Sequence, residues 1–284
     1  RLSKNFSLVS GYWLLVTGYW LLVTGFWLLS TMFPIICQFG PVTVYSYGFM
    51  LAVAALVCTF LASRDAKKIG IPPGVIPDFT FWTVVAGISG ARLFYILLNF
   101  RFFMDHPLEI IMIQNGGLAW HGGLIAATVV AIRFIRKKGL PLATMLDLIA
   151  PYAALGESIG RIGCFLNGCC FGREVAWGVY FPVHDARLHP TQLYAMAGLC
   201  ILFFILRHYR KIASRREPTG KIPGDVFVLY LFGASLLRFT IEFFRADHYV
   251  LVLGLSVYQW VCVGLIAVAV YVHLRLKSRT RTRL

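Results

Sequence analysis

Seven apolar stretches, each close to the length that crosses a bilayer, limit the folds open to this sequence. A membrane-spanning α-helix needs about 20 predominantly apolar residues, because its backbone polar groups must be satisfied inside the segment. Charged residues make up only 14% of the chain, whereas a soluble domain carries about 25%. We therefore predict an all-α, polytopic membrane protein with seven transmembrane helices, over residues 44–62, 79–98, 118–135, 143–163, 191–207, 225–242 and 254–274.

Positive charge alternates with these stretches along the chain. Of the 27 Lys and Arg residues, 18 fall in four short segments that follow the first, third, fifth and seventh stretches. Cytoplasmic loops of membrane proteins carry this kind of excess. The pattern predicts that residue 32 lies outside and that the basic C-terminal tail is cytoplasmic. It also accounts for the net charge of +15 without a nucleic-acid partner.

The first 31 residues differ in kind from the rest. Residues 11–31 repeat one unit three times, as GYWLLVT, GYWLLVT and GFWLLST. Helix-packing repeats preserve chemistry rather than identity, so this near-identity is more typical of a repeat in the DNA. We interpret residues 1–31 as an upstream extension with a wrongly assigned start, and residues 32–284 as one seven-helix domain. The alternative is an extra N-terminal hydrophobic anchor.

Three arginines, Arg92, Arg161 and Arg238, lie inside different predicted helices. Glu157 and Glu242 stand four residues from two of them, on the same helical faces. A charge within a membrane helix is costly and generally faces the bundle interior or a wet cavity. The predicted orientation places all five in the outer half of the membrane, where a shared pocket would suit a phosphate. The alternative is that they form internal ion pairs.

Two histidines and the cysteines are further candidates. His121 and His189 open the third and fifth stretches at the same outer level, and His121 is followed by two glycines that let a ligand approach the backbone. Most cysteines lie in apolar runs, where cysteine usually packs as a small apolar side chain. The adjacent Cys169 and Cys170 leave a catalytic thiol or a disulfide as alternatives to packing. No spacing indicates zinc, and we predict neither a metal nor a cofactor.

Six motifs in order resemble the prolipoprotein diacylglyceryl transferase family, and the resemblance covers Met32 to about Leu276. They are Tyr45–Gly48 (YSYG), Gly90–Arg92 (GAR), Gly116–Leu124 (GGLAWHGGL), Gly160–Gly163 (GRIG), His189–Tyr194 (HPTQLY) and Arg238–Arg245 (RFTIEFFR). The chain departs from the family pattern at Cys164 and Cys169, which replace a common Asn and Glu, and at Ala195, which replaces a Glu.

The resemblance implies a seven-helix enzyme of the bacterial inner membrane. Such an enzyme transfers the diacylglyceryl group of phosphatidylglycerol to the lipobox cysteine of a prolipoprotein signal peptide, near the outer leaflet. We expect catalytic roles for His121, Arg238 and Glu242. We expect substrate-binding roles for Arg161, Tyr47, Asn167, Arg92, His189 and Arg245.

As a hypothesis, His121 takes the proton of the cysteine thiol, and the thiolate attacks the glycerol carbon that bears the phosphate. Arg161 and Arg238 then stabilise the charge on the departing glycerol phosphate. The main alternative is a transporter of an anionic solute that uses the arginines as its binding site. Transporters often contain repeated halves, and no repeat relates the halves here. A CDP-alcohol phosphotransferase is excluded because its metal site needs clustered aspartates, and those of this chain are scattered.

Overall fold

Helices dominate the computed structural model, which describes residues 32–40, 42–112, 116–215, 222–246 and 249–281. Within these ranges, seven helices of 18 residues or more correspond one to one with the seven apolar stretches. In chain order the helices are α1 (Ser46–Lys68), α2 (Val75–Leu98), a short α3 (Phe100–Asp105), α4 (Trp120–Lys137), α5 (Leu142–Leu166), α6 (Thr191–Arg215), α7 (Asp225–Glu242) and α8 (Val257–Arg281). The repeat at residues 11–31 lies outside the described residues.

Four of the helices are long and apolar enough to cross a membrane by themselves: α1, α2, α6 over Thr191–Ile212, and α8 over Val257–Ser278. Their apolar residues are mostly exposed, since only 17% of the apolar window of α1 and 11% of that of α2 are buried. Apolar surface on this scale suits lipid rather than water. The chain is therefore a helical membrane protein, while the count of seven spans and their orientation stay predictions.

Among the residues that the structure describes, three antiparallel hairpins, which the all-α prediction missed, connect or precede the helices. They pair β1 (Ile35–Phe39) with β2 (Val42–Tyr45), β3 (Glu174–Phe181) with β4 (Ala186–Leu188), and β5 (Val250–Val252) with β6 (Leu255–Ser256). Each is short and lies before or between the long helices, and β2 and β6 overlap the first residues of the first and seventh predicted spans. The hairpin of β3 and β4 contributes Phe181 to a small core with Phe165 at the end of α5.

Helices α2 and α4 cross at a glycine contact. A Cβ atom added to Gly90 would lie 2.3 Å from the Cβ of Ala126, and one added to Gly122 would lie 2.2 Å from the Cβ of Phe94. Any larger residue at either glycine would push the helices apart. This close approach fixes the start of α4, where His121 lies, against the second half of α2.

Candidate active site

A cavity of about 350 Å³, its open mouth included, lies between α5, α6 and α7. We call it the arginine cavity. Its apolar lining residues, which include Leu199 and Ile241, come from α6 and α7. Its polar lining residues come from the same three helices and the loops that follow α5 and α7: Glu157, Arg161, Cys170, Thr191, Gln192, Arg238 and Arg245.

Arg161 and Glu157 share one face of α5 at the edge of the cavity. The Nη2 atom of Arg161 donates to Oε1 of Glu157 over 3.0 Å. The Arg161 side chain is 22% exposed and the Glu157 side chain 41%. A partly exposed pair of this kind stabilises a helix only weakly. It leaves the other donors of the Arg161 fork available for a ligand.

Glu242, at the end of α7, is the counter-ion of two arginines. Its carboxylate is 1% exposed, and its Oε2 atom lies 2.8 Å from Nη2 of Arg238 and 3.8 Å from Nε of Arg245. The contact with Arg238 is close but is not aligned as a hydrogen bond. The guanidinium of Arg238 also lies over the ring of Tyr258, 5.2 Å from its centroid. Glu242 thus lies behind the cavity wall and holds two of its cations.

A capping box at the start of α8 holds Glu242 in turn. The backbone N–H of Ser256 donates to Oε1 of Gln259 (2.9 Å), and the backbone N–H of Gln259 donates to Oγ of Ser256 (3.2 Å). The hydroxyl of Ser256 donates to Oε1 of Glu242 over 2.9 Å. Sequence analysis missed Ser256, although the S-x-x-Q pattern before an apolar run is a readable helix-start signal.

Charge around the arginine cavity does not balance. Three guanidinium groups, of Arg161, Arg238 and Arg245, face two carboxylates, of Glu157 and Glu242. One positive charge is therefore in excess among these five groups. Because isolated charge is costly away from water, a cavity of this kind favours an anionic ligand.

The start of α6 forms another wall of the cavity. The hydroxyl of Thr191 donates to the carbonyl of Cys170 (2.7 Å), and Nε2 of Gln192 donates to the carbonyl of Cys169 (2.6 Å). Both side chains are almost fully buried. The Oε1 atom of Gln192 is buried and accepts no hydrogen bond from the part of the chain that the structure describes. This oxygen could accept a hydrogen bond from a ligand in the cavity.

Helix α5 ends in a Schellman motif, which brings two of the cysteines together. The N–H of Cys169 donates to the carbonyl of Cys164 (3.1 Å), the N–H of Gly168 donates to the carbonyl of Phe165 (3.0 Å), and Gly168 has φ +70°. In this motif the residue two positions past the cap turns back over the last helical turn. Cys169 therefore lies against Cys164.

Cys170 follows with φ +64°, a left-handed conformation that costs a non-glycine residue about 1–3 kcal/mol. The turn carries its thiol towards the other two, so that the ligand atoms of Cys164, Cys169 and Cys170 all lie within 4.8 Å of one another. Hydrogen bonds with the thiols of Cys164 and Cys169, together with the charge of Arg245, lower the pKa of the Cys170 thiol.

His121 lies apart from these groups. It is the second residue of α4, is exposed, and packs edge-on against Trp120 with ring centroids 5.4 Å apart. Among the described residues, the lining of the arginine cavity does not include His121. The sequence prediction placed it at the same membrane level as the arginines, and its catalytic role stays a prediction.

Arg92 was expected to share a pocket with Arg161 and Arg238, and this expectation was wrong. Its guanidinium is buried and donates to the carbonyls of Gly116 (2.6 Å), Gly117 (3.1 Å) and Ile110 (3.1 Å) on the loop between α2 and α4. The burial of Arg92 agrees with the expectation that a charge on α2 faces the protein interior. Spacing could not show that loop carbonyls, rather than a cavity, would receive the side chain.

The remaining candidates, His189, Tyr47 and Asn167, are not among the residues that line the cavity. His189 lies in an aromatic group and its Nδ1 atom lies 3.1 Å from the hydroxyl of Tyr194. Tyr47, in the first turn of α1, packs against α5 where a Cβ on Gly163 would lie 3.2 Å from its Cα. Asn167 is the C-cap of α5. Two of the six residues of the HPTQLY motif, Thr191 and Gln192, line the cavity themselves.

These features define a helical membrane protein with a cationic cavity between its helices. The chain belongs to the prolipoprotein diacylglyceryl transferase family, because the sequence model of that family matches residues 34–275. It is therefore a transferase, and the family does not favour the alternative of an anion transporter.

Three relatives illustrate the similarity, and each is named phosphatidylglycerol–prolipoprotein diacylglyceryl transferase. The relative from Parasynechococcus marenigrum is 36% identical over 75% of this chain and 80% of its own length. That from Trichormus variabilis is 34% identical over 77% and 80%. That from Bacillus cereus is 32% identical over 82% and 88%. The similarity thus extends over most of both chains in each pair.

Proposed function

We propose that this protein transfers the diacylglyceryl group of phosphatidylglycerol to the lipobox cysteine of a prolipoprotein signal peptide and releases glycerol phosphate. The names of its relatives give these two substrates. The single observation that carries the proposal to this chain is the excess positive charge of the arginine cavity. Phosphatidylglycerol is an anionic lipid, and its one phosphate leaves as part of the released glycerol phosphate.

The chemistry follows from that charge. The thiol loses its proton to a base, and its sulfur forms a bond to the carbon of the diacylglyceryl group that bears the phosphate. The bond from that carbon to the phosphate oxygen breaks. The electron pair leaves with glycerol phosphate, whose negative charge increases in the transition state. Fixed guanidinium groups stabilise developing charge best where water is scarce. We assign this role to Arg161 and Arg238, with Arg245 beside them.

Glu242 holds the arginines in place. Without it, Arg238 and Arg245 would repel each other and turn away from the cavity. Its own position rests on the hydroxyl of Ser256, so the capping box of α8 supports the site. We assign Glu242 and Ser256 as positioning residues that act through Arg238.

The base is assigned to His121, because imidazole exchanges protons near neutral pH. Its exposure at the start of α4 suits contact with a second, protein substrate rather than with the lipid head group. Arg92 holds the loop that leads into α4, so we assign it a positioning role for His121. Tyr47, Asn167 and His189 are proposed to shape the region where the head group enters.

Placement in the membrane is part of the proposal. All seven long helices are proposed to span the inner membrane, with residue 32 outside and the C-terminal end of α8 in the cytoplasm. The charge pattern supports this orientation, because the basic segments lie at the C-terminal ends of α1, α4, α6 and α8. The arginine cavity then lies towards the outer leaflet, where signal peptides emerge.

The test uses purified full-length protein, phosphatidylglycerol vesicles and a lipobox peptide, with the mass gain of the peptide as the measurement. We expect Arg161→Ala to abolish measurable transfer, while Arg101→Ala, at an exposed arginine of α3, retains it. A peptide with serine in place of the lipobox cysteine should gain no mass. Near-normal transfer by Arg161→Ala, or no transfer by the unmodified protein, would refute the proposal.

A further inference from the structure

Three thiols form a compact group at the rim of the arginine cavity. The ligand atoms of Cys164, Cys169 and Cys170 lie within 4.8 Å of one another, and Cys170 also lines the cavity. Cys164 is buried and the other two are half-buried, so the group is shielded but reachable. Neither the lipid nor the peptide chemistry proposed above uses these thiols.

The backbone around the group is fixed independently on both sides. The Schellman motif sets Cys169 against Cys164, and the left-handed turn at Cys170 directs the third thiol to the same point. The carbonyls of Cys169 and Cys170 are held by Gln192 and Thr191 of α6. Because hydrogen bonds fix the backbone of the three cysteines, their thiols need little rearrangement to coordinate one metal ion.

We propose that Cys164, Cys169 and Cys170 form a three-thiolate binding site for one thiophilic metal ion of the Zn²⁺ or Cu⁺ class. Thiolates select such soft or borderline ions. A tetrahedral ion with metal–sulfur bonds of about 2.3 Å places its sulfurs about 3.8 Å apart, and the three thiols here lie within 4.8 Å of one another, so a modest inward movement would bring them to that spacing. Three protein ligands leave a fourth position of a tetrahedral ion for another donor.

Electrostatics support a metal at this point. Three thiolates and one divalent ion carry a net charge of −1, which the neighbouring guanidiniums can offset. Arg161 interacts electrostatically with Cys164 and Cys170, and Arg245 interacts with Cys170.

A disulfide fits the geometry less well than a metal does. Adjacent Cα atoms are about 3.8 Å apart across a trans peptide, below the range of about 4.4–6.8 Å usual for disulfides, which disfavours a bond between Cys169 and Cys170. A bond from Cys164 to either one would leave the third thiol unpaired beside it. A metal ion uses all three.

The test is a titration of the purified, reduced full-length protein with Cd²⁺ alone, which serves as a spectroscopic probe of thiolate sites. We expect an ultraviolet sulfur-to-metal charge-transfer band that saturates at one Cd²⁺ per chain. Cys164→Ser, Cys169→Ser and Cys170→Ser should each weaken binding at least about tenfold, as loss of a direct ligand requires. Cys58→Ser and Cys200→Ser, at thiols outside the group, should leave the titration unchanged.

A second measurement does not depend on variants that fold. Cd²⁺ should protect the three cysteines, but not Cys200, from alkylation when the modified sites are mapped by mass spectrometry. The proposal is overturned if no band saturates near one equivalent or if the band survives replacement of all three cysteines. It is also overturned if protein alkylated before reduction contains a disulfide between two of them. Neither readout involves diacylglyceryl transfer, so failure of the proposed function would leave this inference standing.

Discussion

At one end of the helix bundle three aspartates, Asp65, Asp147 and Asp225, are buried among donors from neighbouring helices, whereas at the other end three arginines face the arginine cavity. We call the first region the aspartate end. Both regions contain charges inside an apolar protein, where an unpaired ion costs several kcal/mol. The difference lies in what pairs with those charges.

Every buried carboxylate of the aspartate end is matched by protein donors. Asp147 accepts from the backbone N–H groups of Gly224 (2.7 Å) and Phe227 (3.0 Å), and so caps α7 from another helix. Asp225 binds His273 (2.7 Å) as well as Tyr209, and Asp65 binds Lys68, Tyr152 and Arg210. The aspartate end is therefore complete without a ligand.

The arginine cavity differs, because among its described lining residues the cations outnumber the carboxylates by one. Comparison of the two regions thus distinguishes charges that are paired within the protein and hold helices together from charges that are available to bind an anionic substrate. It also offers matched controls, since Glu242 and Arg238 at the cavity have counterparts in Asp147 and Arg210 at the aspartate end. Four predictions, in order of expected effect, test this separation.

The largest effect is expected at Glu242. Glu242→Ala leaves the guanidiniums of Arg238 and Arg245 without their shared counter-ion, which should cost about 3–5 kcal/mol of unfolding free energy and lower kcat/KM at least about 100-fold. Thermal unfolding in detergent and the peptide-lipidation assay measure the two effects. Asp147→Ala should lose about 1.5–3 kcal/mol for each charged hydrogen bond but retain its kcat/KM where folded. Equal losses of activity in both variants would contradict the separation.

Arg238→Ala should lower kcat/KM about 10²–10³-fold, as removal of one preorganised charge-stabilising donor generally does. Its counterpart is Arg210, which lies 3.6 Å from Asp65 at the aspartate end. Arg210→Ala should change kcat/KM by less than about twofold, because Asp65 keeps Lys68 and Tyr152 as partners. Steady-state kinetics with the lipobox peptide measure both. A large activity loss in Arg210→Ala would show that the two regions are coupled.

Much of the bundle was predictable from sequence because membrane helices are recognised by their length and apolar composition. The seven long helices lie at the seven apolar stretches, and the i, i+4 spacing predicted the pairs of Arg161 with Glu157 and of Arg238 with Glu242. The spacing of residues along the sequence describes one helix at a time and could not show which helices are neighbours. It therefore grouped Arg92 with Arg161 and Arg238, whereas Arg92 binds carbonyls of the loop between α2 and α4.

Other features had signals that were not used. Gly168 just past α5 is the glycine of a Schellman motif, from which the meeting of Cys164 and Cys169 follows. The expectation of no metal relied on the separation of cysteines along the chain, which does not describe how a helix end folds back; it stays a prediction, and the proposed metal site is its alternative. The turn that adds Cys170 depends on contacts with α6, and no local pattern contains those.

A smaller effect is expected at Ser256, which caps α8 and also donates to Glu242. Ser256→Ala should cost about 1–2 kcal/mol of unfolding free energy and reduce kcat/KM about tenfold, since Glu242 loses one of its anchors. Ser256→Thr keeps the hydroxyl and should restore most of the activity. A kcat/KM that is unchanged in folded Ser256→Ala would show that Ser256 is only a helix cap.

The smallest effect is expected at Tyr152, whose hydroxyl donates to Oδ2 of Asp65 (2.5 Å) at the aspartate end. Tyr152→Phe keeps the ring against Phe203 and removes one hydrogen bond, so the unfolding free energy should fall by about 1 kcal/mol and the Tm by about 2–4 °C. Asp65 keeps two cationic partners, so kcat/KM should not change. Because α5 carries both Tyr152 and Arg161, an altered kcat/KM in this variant would mean that the aspartate end sets the position of the cavity arginines through that helix.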